Sequence, residues 1–226
     1  VFLGLGWIMY KGLFQKVAKA GANPSLLLAF GLMVLLEHLM SLIWSPTTRS
    51  VITSTSTSSL TLGSINISVT RLIVAVVALI ATGLVFLFLK KTMLGKAVRA
   101  ASEDMSAAAL LGISPTYVSA VYVSAVTFAI GIALAGVAGV AACITYPFDP
   151  FFGFLFSLKA LIAVAFGGLG SVGGPLVGGV MLGVLESMSA YTFSAGWADA
   201  VAYAAFLLIL ILRPEGMLGR RSIEKV

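Results

Sequence analysis

Charge is what this sequence has least of. Only 10% of its 226 residues are Asp, Glu, Lys or Arg, against about 25% in water-soluble domains. So little polar surface cannot cover a folded chain in water. Cys143 is the only cysteine, which excludes an intramolecular disulfide and a cysteine metal cluster. The G-x-x-x-x-G-K-[ST] phosphate loop is missing, so the chain has no ATPase of that kind. No nucleophile is paired with a base, which leaves an intramembrane enzyme without support.

What is present is apolar: 60% of the residues are hydrophobic, with a mean hydropathy of +1.10. They fall in long blocks rather than amphipathic stripes, so the expected surroundings are lipid. Leu26–Trp44, Leu72–Leu89, Tyr117–Tyr146, Phe154–Phe166, Leu176–Met188 and Val201–Leu212 read as six spans, the last three short. Tyr117–Tyr146 is longer than the ~20 residues a span needs. It is expected to tilt, protrude or break at Gly131, Gly136 or Gly139. Val1–Tyr10 is followed, not preceded, by Lys11, unlike a signal peptide. It reads as the end of a membrane helix whose start lies upstream. The expected fold is all-α: one polytopic transmembrane helix bundle over residues 1–226, about six spans plus an N-terminal helix remnant.

The net charge of +6 does not point to nucleic acid, because the basic residues sit in short loops between apolar blocks and so encode topology. Lys11, Lys16 and Lys19 put the first loop in the cytoplasm. Lys90, Lys91, Lys96 and Arg99 then fall inside, as do Arg213, Arg220, Arg221 and Lys225 of the tail. Eleven of the fourteen basic residues are thus cytoplasmic. Arg49 and Arg71 lie outside, and Lys159 lies in a span. The outer segment Ser45–Thr70 carries a Ser/Thr-rich run, read either as a solvated loop or as a docking surface for an external partner.

Gly131, Ala135 and Gly139 recur every four residues, as do Gly174/Gly178 and Gly179/Gly183. In lipid, close approach through small residues supplies helix packing, so Gly131, Ala135, Gly139, Gly179 and Gly183 are candidate packing positions. Gly168-x-Gly170-x-x-Gly173 has dinucleotide-binding spacing, but lacks the acidic residue expected ~20 positions on. A tight turn between two spans explains it better.

Gly95–Ser114 is Ala-rich and helix-forming, with Ser102, Glu103 and Asp104 placed to start a second short helix that Gly112 ends before Pro115. This makes a cytoplasmic surface on which another protein can push. The sequence Gly95-Lys96-Ala97-x-Arg99-Ala100, then Asp104 and Ala109-x-Leu111-Gly112-Ile113, resembles the cytoplasmic loop of permeases in branched-chain amino-acid ABC importers. The likeness continues through Phe128-Ala129, Leu134-Ala135-Gly136-x-Ala138-Gly139, Leu158-Lys159-Ala160, Gly167-Gly168-x-Gly170-Ser171, Gly178-Gly179 and Pro214-x-Gly216-x-x-Gly219-Arg220. It covers Gly95 to the C-terminus well and the earlier half by pattern.

The resemblance implies a multi-pass subunit of a bacterial or archaeal inner membrane, its C-terminus cytoplasmic. It would bind no cofactor itself, ATP being bound by partner subunits. Its partners would be a second permease subunit, identical or paralogous, two cytoplasmic ATPase subunits and a periplasmic solute-binding protein, all within membrane lipid. Gly95, Lys96, Arg99, Ala100, Glu103, Asp104, Ala109, Gly112 and Ile113 would form the ATPase-coupling segment, residues 95–114.

Four charged or polar residues interrupt the apolar runs: Glu37, His38, Lys159 and Glu186. A charge at the bilayer centre costs at least ~2.5–3.5 kcal/mol on insertion scales, so such residues pair or face a cavity. They are read either as internal structural pairs or as a translocation path. Glu37 and His38 point about 100° apart on a helix and cannot both face one narrow path. Lys159 is placed to snorkel outward. The competing function is an ion-coupled secondary carrier using Glu37, His38 or Glu186, although no internal repeat of the kind such carriers use is visible.

Overall fold

The computed structural model describes residues 1–17, 22–51, 59–62, 65–103, 117–168, 173–212 and 216. The chain divides into two units, Val1–Phe151 and Phe152–Val226.

The first unit begins with α1 (Phe2–Met9), which runs through a π turn (Tyr10–Phe14) into a last helical stretch, Gln15–Val17. The helix therefore does not stop at Tyr10, and Lys11 and Lys16 lie within it; Lys19 is outside the described residues. Next come α2 (Ala22–Trp44), a hairpin of β1 (Ser59–Leu62) and β2 (Ile65–Ser68), α3 (Val69–Lys91), α4 (Met93–Glu103) and α5 (Tyr117–Thr145). The second unit holds α6 (Phe152–Gly167), α7 (Gly174–Thr192), a 3₁₀ turn (Ala195–Trp197) and α8 (Ala198–Leu212).

Among the described residues, three stretches are long and apolar enough to cross a membrane: Asn23–Trp44, Val69–Lys91 and Ser124–Thr145. Phe152–Gly167 and Ala198–Leu212 are shorter apolar helices. The most apolar stretches of α2 and α3 bury no residue inside the chain, and Leu42 of α2 is 83% exposed. Water would not tolerate such faces, and lipid does. The long span does not break: α5 is continuous over 29 residues, about 43 Å at 1.5 Å per residue, and Gly131, Gly136 and Gly139 all lie inside it.

The all-α expectation omits the hairpin. Its strands pair antiparallel with Leu60 opposite Ile67 and Leu62 opposite Ile65. Two period-two runs separated by Gly63-Ser64 are a hairpin signature, hidden in the sequence by the Ser/Thr-rich run before it.

Each unit is held where backbone meets backbone. In the first, α1 lies on α5: a Cβ on Gly6 would come within 2.7 Å of the Ala129 Cα, and one on Gly136 within 2.6 Å of the Phe2 ring. The π turn shifts the helical register, and Tyr10 and Phe14 both meet Phe128, with ring centroids 5.7 and 4.6 Å away. In the second, Gly178 is pressed against the Ala163 carbonyl and Gly167 against the backbone of Gly174. Beside this seam Ile162, Phe166, Leu182 and Ala202 form a buried cluster. Gly168 and Gly216, both at positive φ (93° and 76°), stand against each other.

The small-residue positions expected to pack are placed otherwise. A Cβ on Gly131, Gly139, Gly179 or Gly183 would meet nothing within 4 Å, and Ala135 is exposed. Those faces point away from the chain's own described residues. Gly178→Val should therefore lower stability in detergent or lipid by about 1–3 kcal/mol through overpacking. Gly179→Val, one position on, should change the melting temperature far less, and a pair of thermal melts compares them.

Candidate transport site

Three places gather the polar side chains that an apolar bundle cannot hold by accident. One lies at the C-terminal ends of α2 and α5. Glu37, Met40 and Trp44 recur along one face of α2 (i, i+3, i+7), and with Leu36 they line a cavity of about 550 Å³. Cys143 of α5 and Ser45, Thr47, Arg49, Phe148, Asp149 and Pro150 complete the wall. Glu37 lies about 10 Å along the helix axis from Trp44.

The loop that shapes this cavity is fixed by hydrogen bonds. α2 ends at Trp44, and Ser45 takes the left-handed conformation (φ 67°), with Pro46 next, a residue that cannot continue the helix. The Arg49 guanidinium donates to the Trp44 carbonyl at 2.6 Å, satisfying an acceptor that the helix end leaves open. Arg49 and Phe148 exchange backbone bonds of 2.8 and 2.9 Å. Asp149 accepts from the Phe151 amide at 2.8 Å through Oδ1. Among the described residues, neither Arg49 nor Glu37 forms an ion pair. His38, adjacent to Glu37, does not line this cavity. Its Nδ1 is 2.9 Å from the Val34 carbonyl, and its ring meets Phe151 edge-on at 5.8 Å.

The second place is in the other unit. Lys159 of α6 holds its ammonium 3.0 Å from Glu186 Oε1 of α7 and 2.8 Å from Asp199 Oδ1 at the start of α8. One cation thus ties three helices through two carboxylates. Lys159 does not snorkel freely; it is the centre of an internal pair. Sequence reasoning missed Asp199, which sits just before the last apolar block. The available signal was the lysine itself, because a cation in an apolar run needs a counter-charge and the next two helices each carry one acid.

The third is the corner between α3 and α4. The Thr92 hydroxyl donates to the Phe88 carbonyl at 2.6 Å and accepts from the Gly95 amide at 2.9 Å. One side chain thereby ends α3 and caps α4. Gly95 is pressed onto the Phe88 carbonyl, leaving no room for a Cβ, so α4 turns off α3 with no spacer. α4 is strongly amphipathic, with Lys96 and Arg99 exposed. Ala100 and Glu103 belong to the same helix, whereas Asp104, Ala109, Gly112 and Ile113 lie outside the described residues.

Apolar helices with exposed flanks, interrupted by charge chiefly at a cavity and a triad, define an integral membrane protein. The chain belongs to the family of permease components of branched-chain amino acid transport systems, whose model matches residues 16–210. It is similar to the high-affinity branched-chain amino acid transport system permease protein LivH of Escherichia coli K12, with 32% identity over 98% of this chain and 72% of that one. It is also similar to the corresponding protein BraD of Pseudomonas aeruginosa, with 42% identity over 69% of this chain and 49% of the relative. A probable LivH of Methanocaldococcus jannaschii is 30% identical over 64% of this chain and 46% of its own length. No solved structure matches.

The triad carries a test of its own. Lys159→Met leaves Glu186 and Asp199 facing each other without their cation and should destabilise the protein by about 2–4 kcal/mol. Adding Glu186→Gln should recover part of that loss, the non-additivity that marks a coupled pair. Equilibrium unfolding of the single and double variants in mixed micelles measures both.

Proposed function

We propose that this chain is a membrane-spanning subunit of an ATP-driven ABC importer that carries branched-chain amino acids or similar small polar solutes. What supports this most is the family match over nearly the whole chain, joined to the α3–α4 corner that such a subunit needs. In this reading six spans plus the N-terminal helix form a single permease domain over residues 1–226. The tail is cytoplasmic, a reading supported by the distribution of Lys and Arg.

The chain supplies no ATPase and binds no cofactor of its own. Two cytoplasmic ATPase subunits bind ATP, a second permease subunit completes the pathway, and a periplasmic binding protein delivers the solute. Residues 95–114 couple the two activities: the ATPase grips the exposed Lys96 and Arg99 of α4 together with Glu103, and nucleotide-driven closure moves α4. Gly131, Ala135, Gly139, Gly179 and Gly183, whose faces find no partner within the chain, are surfaces for a neighbouring subunit or lipid.

The experiment is co-purification of the full-length protein with its ATPase and permease partners, with and without Arg99→Glu and Glu103→Lys. Reversing a charge at a protein contact weakens binding at least about tenfold. The variants should lose the stoichiometric complex, and ATP turnover should lose its stimulation by loaded binding protein. Transport by the protein alone in vesicles without ATP overturns the importer reading in favour of an ion-coupled carrier.

A further inference from the structure

The cavity of the first unit combines three properties that nothing in the packing of the helices demands. Its volume, about 550 Å³, lies in the ~300–1,000 Å³ range of small-ligand sites. Most of its wall is apolar: Leu36, Met40, Trp44, Phe148 and Pro150. It also carries charges of both signs that are not spent on each other, since among the described residues Glu37, Asp149 and Arg49 are in no ion pair, while Asp149 is engaged through Oδ1 by the Phe151 amide. Arg49 spends one guanidinium nitrogen on the Trp44 carbonyl and keeps the donors of the others. Glu37 has no hydrogen bond among the described residues, although it stands well inside an apolar helix.

The placement of Arg49 adds to the argument. By the positive-inside rule, outer loops are poor in Arg and Lys, and Arg49 is one of two basic residues on that side. Its backbone is pinned to Phe148 and its side chain to Trp44, so the cation is held at the cavity wall rather than dispersed in solvent. A fixed cation, an unpaired carboxylate and an apolar wall together complement a small molecule that carries an anion, a cation and a hydrocarbon side chain.

We propose that this cavity is a binding site for a zwitterionic aliphatic amino acid on the outer side of the membrane. Arg49 holds the α-carboxylate, Glu37 holds the α-ammonium, and the hydrocarbon side chain rests on Leu36, Met40 and Trp44. The proposal deepens the transport reading above and rests on it for the solute class. The shared chemistry, an ammonium and an anion on one small headgroup, also occurs in phosphatidylethanolamine, so the test separates the two.

Cys143 lines the cavity and is half-buried, which makes it a reporter in the native sequence. The full-length protein, assembled with its partner subunits, is placed in phosphatidylglycerol vesicles with and without phosphatidylethanolamine. Its maleimide labelling is followed, with Cys143→Ser as the background. L-leucine should slow labelling in both lipids, whereas 4-methylpentanoate (no ammonium) and 3-methylbutylamine (no carboxylate) at equal concentration should not. Glu37→Gln and Arg49→Gln should each raise the leucine concentration for half-protection at least about tenfold, the value of one lost charge-assisted contact. Arg71→Gln, also outside but not in the cavity wall, should leave it unchanged. If a variant fails to reach the membrane, the three-ligand series on the native protein decides alone.

Labelling unaffected by leucine in vesicles that still import leucine with ATP overturns the site and leaves the transport reading standing. Protection that follows phosphatidylethanolamine instead of leucine overturns it in favour of a lipid headgroup. Protection by leucine without import of any aliphatic amino acid supports the site and overturns the transport reading.

Discussion

Backbone laid directly on backbone at glycine is the contact on which each half of this protein depends. Lipid is as apolar as a leucine side chain, so helices gain nothing from the hydrophobic effect by meeting each other in a bilayer. What remains is dispersion, which rises only at close range. Gly6 on Ala129 and Gly178 on Ala163 supply that range. Around them the large side chains are mostly exposed, and among the described residues few large ones, such as Ile162 and Phe166, are sealed inside. A soluble protein of this length would bury most of its leucines, but here lipid takes that place.

The same solvent dictates where charge goes. A lone charge in hydrocarbon is costly, and the chain resolves the cost in two ways. Among the described residues, Arg49 lies in a loop and Lys16, Arg71, Lys90 and Lys91 near helix ends. Lys159 is neutralised within its unit by Glu186 and Asp199, and a cation with two carboxylates in place has no reason to leave them, so this group reads as a clamp between helices. Glu37 follows neither course. It lies in an apolar helix with no partner among the described residues, beside a cavity, and a charge kept in that condition is more readily explained by a ligand than by the fold.

Much of this was legible in the sequence because the bilayer makes helix placement a matter of composition. The apolar runs marked α2, α3, α5, α6, α7 and α8 to within a few residues. The divergence of Glu37 and His38 followed from the 100° step between helix neighbours. What escaped was tertiary or local. Spacing alone marked Gly131/Gly139, Gly174/Gly178 and Gly179/Gly183 as equivalent small faces, and only the neighbouring helix decides which of them is used. Asp199 sits outside its apolar block and joins the triad only once α8 folds back toward α6. The hairpin was masked by the polar run before it, and the α1 helix passes Tyr10 because its aromatic face continues along Phe128. The Thr92 corner could have been seen: a threonine three residues before a glycine amide, at the end of an apolar run, is a helix cap.

The corner also bears on how movement could pass through the first unit. Thr92 bonds both helices, and Gly95 abuts the Phe88 carbonyl, so α4 cannot swing without either breaking that capping pair or carrying the end of α3 with it. Breaking it exposes a helix terminus whose amide has no other partner. α3 in turn is held loosely on its inner side. Ile73, Val74 and Val77 face Phe2, Gly136 and Val140 across an apolar cavity of about 240 Å³, in contrast to the close seam between α1 and α5. A helix gripped tightly at one end and packed loosely along its length shifts as a rod, because the stiff joint transmits displacement and the gap accommodates it. A tight joint thus adjoins a loosely packed span, and a displacement of α4 is passed on to α3.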